Sequence, residues 1–200
     1  MITLPAAVIA YLLGAIPFGY LLVRWTTGRD VRAGGSGNIG ATNVLRTTGR
    51  AAGIATLLLD IGKGYLAVWI AGRLTGHDVR AMCVAVLAVM AGHAYPVFLR
   101  FQGGKAVASF VGAFLCLTPV ALGAVLVVFV VVVAWTRYIS MGSVVSAATF
   151  PLAVWLMQKD LTMLATAAIA GAFIIYKHSS NIRRVHAGTE HGFTFGARKS

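Results

Sequence analysis

The chain has 200 residues, of which 58% are hydrophobic and 11% are charged, and its formal net charge is +12. This composition is typical of an integral membrane protein and excludes an ordinary soluble domain. The basic residues are scattered between apolar runs, which disfavours nucleic-acid binding and fits the excess of Lys and Arg on the cytoplasmic side of membrane proteins. Cys83 and Cys116 both lie inside apolar runs, so we expect packing residues rather than a disulfide or a metal pair.

Several apolar runs are long enough for the roughly 20 residues that cross about 30 Å of hydrocarbon. In chain order they are Leu4–Val23, Ala51–Gly72, Ala81–Leu99, Ala106–Trp135, Ile139–Met157 and Leu161–Tyr176. The run Ala106–Trp135 would form a helix of about 45 Å, so we expect a break at Pro119 and two spans. The sequence therefore predicts an all-α integral membrane protein, a single domain over residues 1–200 with seven transmembrane helices.

The distribution of basic residues predicts the orientation of these spans. With the N-terminus outside and the C-terminus cytoplasmic, thirteen Lys and Arg residues fall on the inside and three on the outside. If Ala106–Trp135 crossed only once, the basic C-terminal tail would lie outside, so the positive-inside rule favours two crossings. Three polar segments then lie on the cytoplasmic face, at residues 34–50, 93–105 and 177–190, and we expect them to share one site.

The first polar segment, Gly34–Arg50, is rich in glycine and contains no acidic residue. Glycine lets the backbone adopt positive φ and approach a ligand closely, and successive N–H groups can form an anion-binding nest. Arginine adds a planar fork that suits phosphate. The residues that we expect to bind substrate here are Ser36, Gly37, Asn38, Asn43 and Arg46. The alternative is a flexible turn between two helices.

The second polar segment, His93–Lys105, pairs a histidine with the turn Gly103-Gly104-Lys105. A lysine behind two glycines at the start of a helix suits a phosphate group. We therefore predict that His93, Gly103, Gly104 and Lys105 bind substrate. The alternative is an interfacial anchor, since Lys and Arg snorkel and aromatic residues favour the headgroup level.

The third polar segment begins at Lys177 and contains His178 and Asn181, which share one face if the last helix continues. A ring that accepts a proton and an amide that donates make a plausible catalytic pair. A stop-transfer cluster would explain the basic residues of this segment, but not His178 or Asn181.

Asp60 and Lys63 lie three residues apart inside the second span. Ionisable groups at such depth are candidates for function, and a structural ion pair is the alternative. We expect a mixed role, with Lys63 near the substrate.

Other motifs are absent from the sequence. It has no His-x4-Asp motif, no Gly-x-Ser-x-Gly elbow and no Cys/His cluster with zinc spacing. We therefore expect no metal and no cofactor, and an anionic substrate whose reactive group arrives already activated.

Together, the three polar segments resemble the bacterial acyl-phosphate:glycerol-3-phosphate acyltransferases of phospholipid synthesis. The matching motifs are Gly-Ser-Gly-Asn-Ile-Gly-Ala-Thr-Asn (35–43), Gly-His-x-x-Pro-x-Phe-x-x-Phe-x-Gly-Gly-Lys (92–105), Lys-His-x-x-Asn-Ile-x-Arg (177–184) and Ala-Gly-Thr-Glu (187–190). The resemblance covers essentially the whole chain, and Ala106 stands where the family commonly has Gly.

The resemblance implies a multi-pass enzyme of the bacterial inner membrane that transfers a fatty acyl group from acyl phosphate to the 1-hydroxyl of glycerol 3-phosphate. Lysophosphatidic acid and inorganic phosphate are the implied products, and membrane lipid is the surrounding partner.

On this basis we assign roles to the candidate residues. Ser36, Arg46 and Lys105 hold phosphate groups, and Asn181 stabilises the oxyanion. His178 orients or deprotonates the hydroxyl, although a substrate phosphate could serve as the base, and His93 and Asn38 shape the site. A transporter or channel for an organic anion and a structural subunit of a membrane complex are the competing functions. All three polar segments lie on one side, which disfavours transport.

Overall fold

Residues 2–192 are described by the computed structural model, and they form helices joined by short loops. The α-helices are α1 (Thr3–Ala15), α2 (Phe18–Thr27), α3 (Ala41–Thr48), α4 (Arg50–Thr75), α5 (Val79–Ala94), α6 (Val107–Leu117), α7 (Pro119–Thr136), α8 (Ile139–Gln158), α9 (Leu161–Lys177) and α10 (Ser179–His186). Two short 3-10 turns, Val31–Ala33 and Val97–Leu99, lie in or beside the polar segments. Arg198 and Lys199, which the charge count includes, lie outside the described residues.

Several helix ends follow from local sequence. Asp78 accepts hydrogen bonds from the backbone N–H groups of Arg80 and Ala81 at the start of α5, and Asp160 caps α9 through the N–H of Met163. Gly76 ends α4 in the left-handed conformation, with φ +64°.

Five stretches are long and apolar enough to cross a membrane. They are Thr3–Thr27, Arg50–Thr75, Val79–Leu99, Pro119–Thr136 and Ile139–Gln158. The pair α9 and α10 passes the same test together but is bent by 53°, and α6 is a shorter apolar helix. The prediction of an all-α, multi-pass membrane protein is confirmed for the described residues.

Two prolines lie at breaks in the apolar runs, and the sequence analysis expected the break at Pro119. The first run is two helices, α1 and α2, separated at Ile16 and Pro17. Similarly, α6 ends at Leu117 and α7 begins at Pro119. Proline lacks the backbone N–H that a continuous helix needs.

The chain divides into two compact units, residues 1–118 and 119–200. In the first unit, α1 packs against α5 and α4 packs against α6. A side chain at any of four glycines would overlap a backbone carbonyl of the facing helix. These glycines and their carbonyls are Gly14 with Val89, Gly92 with Tyr11, Gly64 with Ser109, and Gly112 with Ile61. Small residues therefore bring these backbones together, as is common between membrane helices.

In the second unit, α8 packs against both α7 and α9, and α10 packs against α8 and α9. Phe150 and Val154 of α8 are fully buried in this unit. A side chain at Gly171 of α9 would overlap the carbonyl of Ala147 in α8, so this pair of helices also approaches closely.

Candidate functional site

The glycine-rich segment folds around the side chain of Asn43, which is only 2% exposed. Its Oδ1 accepts a 2.8 Å hydrogen bond from the N–H of Ser36, and its Nδ2 donates to the carbonyl of Asn38, also at 2.8 Å. Nδ2 also lies 3.1 and 3.2 Å from the carbonyls of Val31 and Gly34. Both ends of the amide are engaged by the backbone, so Asn43 determines the shape of the loop.

Three glycines of this segment have positive φ, and two of them, Gly35 and Gly37, lie close to Ser36. Gly35 has φ +58° and Gly37 has φ +70°, a conformation that costs residues with a Cβ about 1–2 kcal/mol. A Cβ at residue 35 would also overlap Oδ1 of Asn43. Asn38 then accepts a 2.8 Å hydrogen bond from the N–H of Gly40 and turns the chain into α3.

The loop leaves some of its predicted ligands at the surface of the first unit. Ser36, Gly37 and Arg46 are exposed, whereas Asn38 is half-buried. Arg46 lies in the last turn of α3. Ser36, Gly37 and Arg46 can therefore meet an anion, while Asn38 and Asn43 support the loop that carries them.

The second segment places Lys105 directly before Ala106, the N-cap of α6. Its two glycines do not have positive φ and instead allow close packing against the end of α5. The N–H of Gly104 donates a 3.1 Å hydrogen bond to the carbonyl of His93. A Cβ at residue 104 would overlap Nε2 of the same histidine. The predicted lysine at a helix start is present, and the glycines fix its loop through His93.

Asp60 and Lys63 form an ion pair, with Nζ 2.8 Å from Oδ1, and both side chains are 3% exposed. Nζ of Lys63 also donates a 2.8 Å hydrogen bond to the carbonyl of Ile16. Nδ1 of His93 lies 3.7 Å from Oδ1 of Asp60 and 3.3 Å from Oγ of Ser109. The predicted substrate-binding residues Lys63 and His93 are thus members of one buried polar cluster, and the sequence analysis missed Ser109.

His178 lies at the bend between α9 and α10, so the last helix does not continue straight through the third segment. Its Nδ1 is 2.8 Å from the carbonyl of Ile174, and the side chain is buried. A carbonyl oxygen only accepts, so Nδ1 carries a proton, and in the neutral ring Nε2 is the acceptor. This tautomer is the one that a general base would need if it acts through Nε2.

Glu190 is the functional candidate that sequence reasoning overlooked. Its Oε1 accepts hydrogen bonds from Nδ2 of Asn181 at 2.6 Å and from Oγ of Ser140 at 2.8 Å. Its Oε2 accepts from Nε of Arg184 at 2.8 Å, and the side chain is 5% exposed. A lone acid in the basic stretch 177–200 was the available signal, together with its place in the Ala-Gly-Thr-Glu motif.

The pKa of Glu190 reflects this environment. Burial would raise the pKa of the carboxyl, but the hydrogen bonds from Asn181, Ser140 and Arg184 outweigh it, and the pKa lies below its usual range. Glu190 is therefore a carboxylate that fixes the third segment against α8.

A family model and individual relatives both match this chain. A family model described as glycerol-3-phosphate acyltransferase matches residues 4–188. The glycerol-3-phosphate acyltransferase of Desulforamulus reducens is 44% identical over 191 residues, covering 96% of this chain and 94% of that protein. The protein of the same name from Trichlorobacter lovleyi is 48% identical over 184 residues, covering 92% and 94%.

Solved structures are similar over the same length. One is the crystal structure of PlsY (YgiH), an integral membrane glycerol 3-phosphate acyltransferase, in its glycerol 3-phosphate form. It superposes with a TM-score of 0.91 at 36% identity, covering 96% of each chain. The lysphosphatidic acid form gives a TM-score of 0.87 at 35% identity, covering 96% of this chain and 95% of that one.

Proposed function

The chain belongs to the glycerol-3-phosphate acyltransferase family, and we propose that it transfers a fatty acyl group from acyl phosphate to the 1-hydroxyl of glycerol 3-phosphate. The products are lysophosphatidic acid and inorganic phosphate. The family match over residues 4–188 carries the acyltransferase activity and its acceptor. It includes residues of both units, in keeping with one functional domain.

The choice of acyl phosphate as donor is supported by the character of the candidate residues. An acyl phosphate is a mixed anhydride, so the hydroxyl oxygen attacks the carbonyl carbon directly and the bond to phosphate breaks. The hydroxyl proton passes to a base, and phosphate leaves as a stable anion. This reaction needs alignment, charge neutralisation and oxyanion stabilisation, which cations and hydrogen-bond donors provide without an enzyme nucleophile.

In the first unit, we assign phosphate binding to Ser36, Arg46 and Lys105, together with the backbone N–H groups around Gly37. The exposure of Ser36 and Arg46 and the position of Lys105 at the start of α6 support this assignment. The remaining predicted residues hold these groups in place. They are Asn38, Asn43, Lys63, His93, Gly103 and Gly104.

In the second unit, we assign proton acceptance to Nε2 of His178 and oxyanion stabilisation to the amide of Asn181. The hydrogen bond from Nδ1 of His178 to the carbonyl of Ile174 supports the base role because it selects the required tautomer. A substrate phosphate acting as base is the alternative, and it would leave His178 to position the hydroxyl.

For the membrane topology, we propose seven spans in the bacterial inner membrane, with the N-terminus outside and the C-terminus cytoplasmic. The excess of thirteen basic residues over three supports the orientation. The short α6 is then one of the crossings, which puts the loop before it at membrane depth. Such irregular backbone is tolerated where protein satisfies it, as His93 does for Gly104.

Single-cysteine labelling in intact cells tests this topology. Cysteines at residue 40 and at the C-terminus should be protected from an impermeant reagent, and those at residues 76 and 159 should react. A C-terminus that reacts from outside would contradict the seven-span arrangement.

The activity is tested with the purified protein, acyl phosphate and glycerol 3-phosphate. We expect equimolar lysophosphatidic acid and inorganic phosphate, and no turnover when an acyl thioester replaces the acyl phosphate. Turnover with the thioester alone would reject the proposed donor. Uptake of an organic anion by proteoliposomes without acyl transfer would favour a transporter.

A further inference from the structure

The proposed reaction gives no direct task to the buried carboxylate of Asp60. It lies in α4 with its side chain 3% exposed, 2.8 Å from Nζ of Lys63 and 3.7 Å from Nδ1 of His93. Ionisable groups inside a membrane span are costly and are retained where they serve a function. The two basic partners of Asp60 lead to different polar loops of the same unit.

Lys63 connects Asp60 to the helix break that precedes the glycine-rich loop. Nζ donates a 2.8 Å hydrogen bond to the carbonyl of Ile16, the last residue before Pro17. It also lies 5.6 Å from the centre of the Phe18 ring at the start of α2, within the range of a cation–π contact. Lys63 thereby fixes the point at which α2 begins.

From that point, α2 transmits its position to the glycine-rich loop by direct packing. A Cβ at Gly19 would overlap the carbonyl of Ile39, and it would lie 3.1 Å from the side chain of Val44. Ile39 and Val44 belong to the buried cluster that also contains Val23 and Val31. A shift at the start of α2 must therefore move the loop that carries Ser36.

His93 connects Asp60 to the second loop. Its carbonyl accepts the 3.1 Å hydrogen bond from the N–H of Gly104, and its Nε2 edge leaves no room for a side chain at that residue. On the other edge of the ring, Nδ1 faces Asp60 and Oγ of Ser109. Because the ring lies against residue 104, its rotation toward that residue would displace the backbone bonded directly to Lys105.

We propose that Asp60 is a positioning residue for glycerol 3-phosphate binding. Its carboxylate holds Lys63 and His93 at once, and through them it sets the spacing between the loop of Ser36 and the loop of Lys105. This inference rests on the proposed function, because it assumes that these two loops bind the phosphate group of the acceptor. Asp60 itself does not touch the substrate.

The test separates positioning from mere stabilisation by measuring affinity as well as turnover in the full-length protein in detergent. Asp60→Asn keeps the shape of the side chain and removes its charge. We expect its Kd and KM for glycerol 3-phosphate to rise at least about tenfold, since charge-assisted phosphate contacts are displaced rather than deleted. A purely structural role would lower the amount of active enzyme and leave both constants unchanged.

In Asp60→Asn, the buried Lys63 loses its carboxylate partner, which lowers stability by itself. A second variant avoids this cost. Asp60→Leu combined with Lys63→Met removes both charges at similar volume, a change that often preserves stability. It also removes the contacts from Asp60 to Lys63 and to His93, so we expect the same rise in Kd in a folded protein. Asp78→Ala is the matched control, because it deletes the cap of α5, the helix of His93, without touching this cluster. We expect it to lower Tm by about 2–4 °C with an unchanged Kd.

The outcomes are distinct. Unchanged Kd and KM in either folded Asp60 variant would overturn the positioning role. Failure of both variants to fold would also overturn it, because the ion pair of Asp60 and Lys63 would then be needed for folding. Calorimetric binding of glycerol 3-phosphate does not depend on the acyl donor. A wild-type protein that binds the acceptor but does not react with acyl phosphate would therefore reject the proposed donor and leave the test of Asp60 valid.

Discussion

Asn181 donates a 2.6 Å hydrogen bond from Nδ2 to Oε1 of Glu190, and this contact sets the orientation of the amide. A carboxylate only accepts hydrogen bonds, so the nitrogen of Asn181 must face Glu190. Its amide oxygen is therefore directed away from Glu190. Glu190 therefore determines the direction in which the nitrogen and the oxygen of the Asn181 amide point.

Exchanging the donor and acceptor in this pair separates folding from catalysis. Glu190→Gln can keep its amide oxygen toward Asn181 only by turning its N–H₂ toward Arg184, so one donor faces another in either orientation. We expect a loss of about 1–3 kcal/mol of stability. Adding Asn181→Asp restores a donor–acceptor pair, so the double variant should regain most of that loss. Thermal unfolding in detergent measures both.

Acyl transfer should not recover with stability in the double variant, because the carboxylate introduced by Asn181→Asp carries no N–H for the oxyanion. Recovery of both properties would instead mean that position 181 acts through its oxygen, as an acceptor for the substrate hydroxyl.

The depressed pKa of Glu190 predicts acid sensitivity. The pKa of this carboxyl is lower in the folded than in the unfolded protein, so the charged group stabilises the fold at any pH above its unfolded-state pKa of about 4.3. This contribution is lost as the pH falls through the folded-state pKa. Wild-type stability should therefore fall below about pH 4.5 more steeply than that of Glu190→Gln. Parallel curves for the two proteins would show that this carboxyl has no such coupling.

His178 provides a test of the base. His178→Ala should lose at least about 100-fold in kcat, the usual scale for a positioned base, and His178→Gln should recover little because an amide cannot take the hydroxyl proton. The variants should be compared from about pH 5 to 9, which brackets the ordinary imidazole pKa of about 6.5. A Gln variant with substantial activity and the wild-type acidic limb would transfer the base role to a substrate phosphate.

Lys105→Ala should impair turnover without unfolding the protein. Loss of a charge-assisted phosphate contact costs about 2–4 kcal/mol, or roughly 30- to 1,000-fold in kcat/KM. Lys159→Ala is the control, since that lysine ends α8 and is exposed. Near-normal kcat/KM in folded Lys105→Ala would indicate that Lys105 is an interfacial anchor and not a phosphate ligand.

Ala106 has φ +60° and is fully buried, an unusual combination for a residue with a Cβ. Ala106→Gly relieves the strain of the positive φ, but glycine also increases the conformational entropy of the unfolded chain. The free energy of unfolding should therefore change by less than about 1 kcal/mol. Ala106→Val should cost at least about 2 kcal/mol, because a branched side chain is both strained and overpacked there. Equal melting temperatures for the Val and Gly variants would contradict this loop conformation.

The sequence predicted the all-α, multi-pass architecture because apolar runs and prolines act locally. It did not predict the partners of Asn43, since these are backbone groups brought together only when the loop closes. Glu190 and Ser140 are 50 residues apart, and no periodicity relates them. Asp60 and Lys63 were paired correctly because they share one helix turn, whereas His93 joins them from another helix, which only tertiary packing reveals.

The glycine contacts between facing helices also restrict where a lipid tail can enter. At Gly14, Gly64, Gly92 and Gly112 the opposing backbone leaves no space for even one methyl group. A hydrocarbon tail is at least as wide as a methyl, so the seams between α1 and α5 and between α4 and α6 are closed to it. Any lateral gate for the acyl donor must lie away from these two seams.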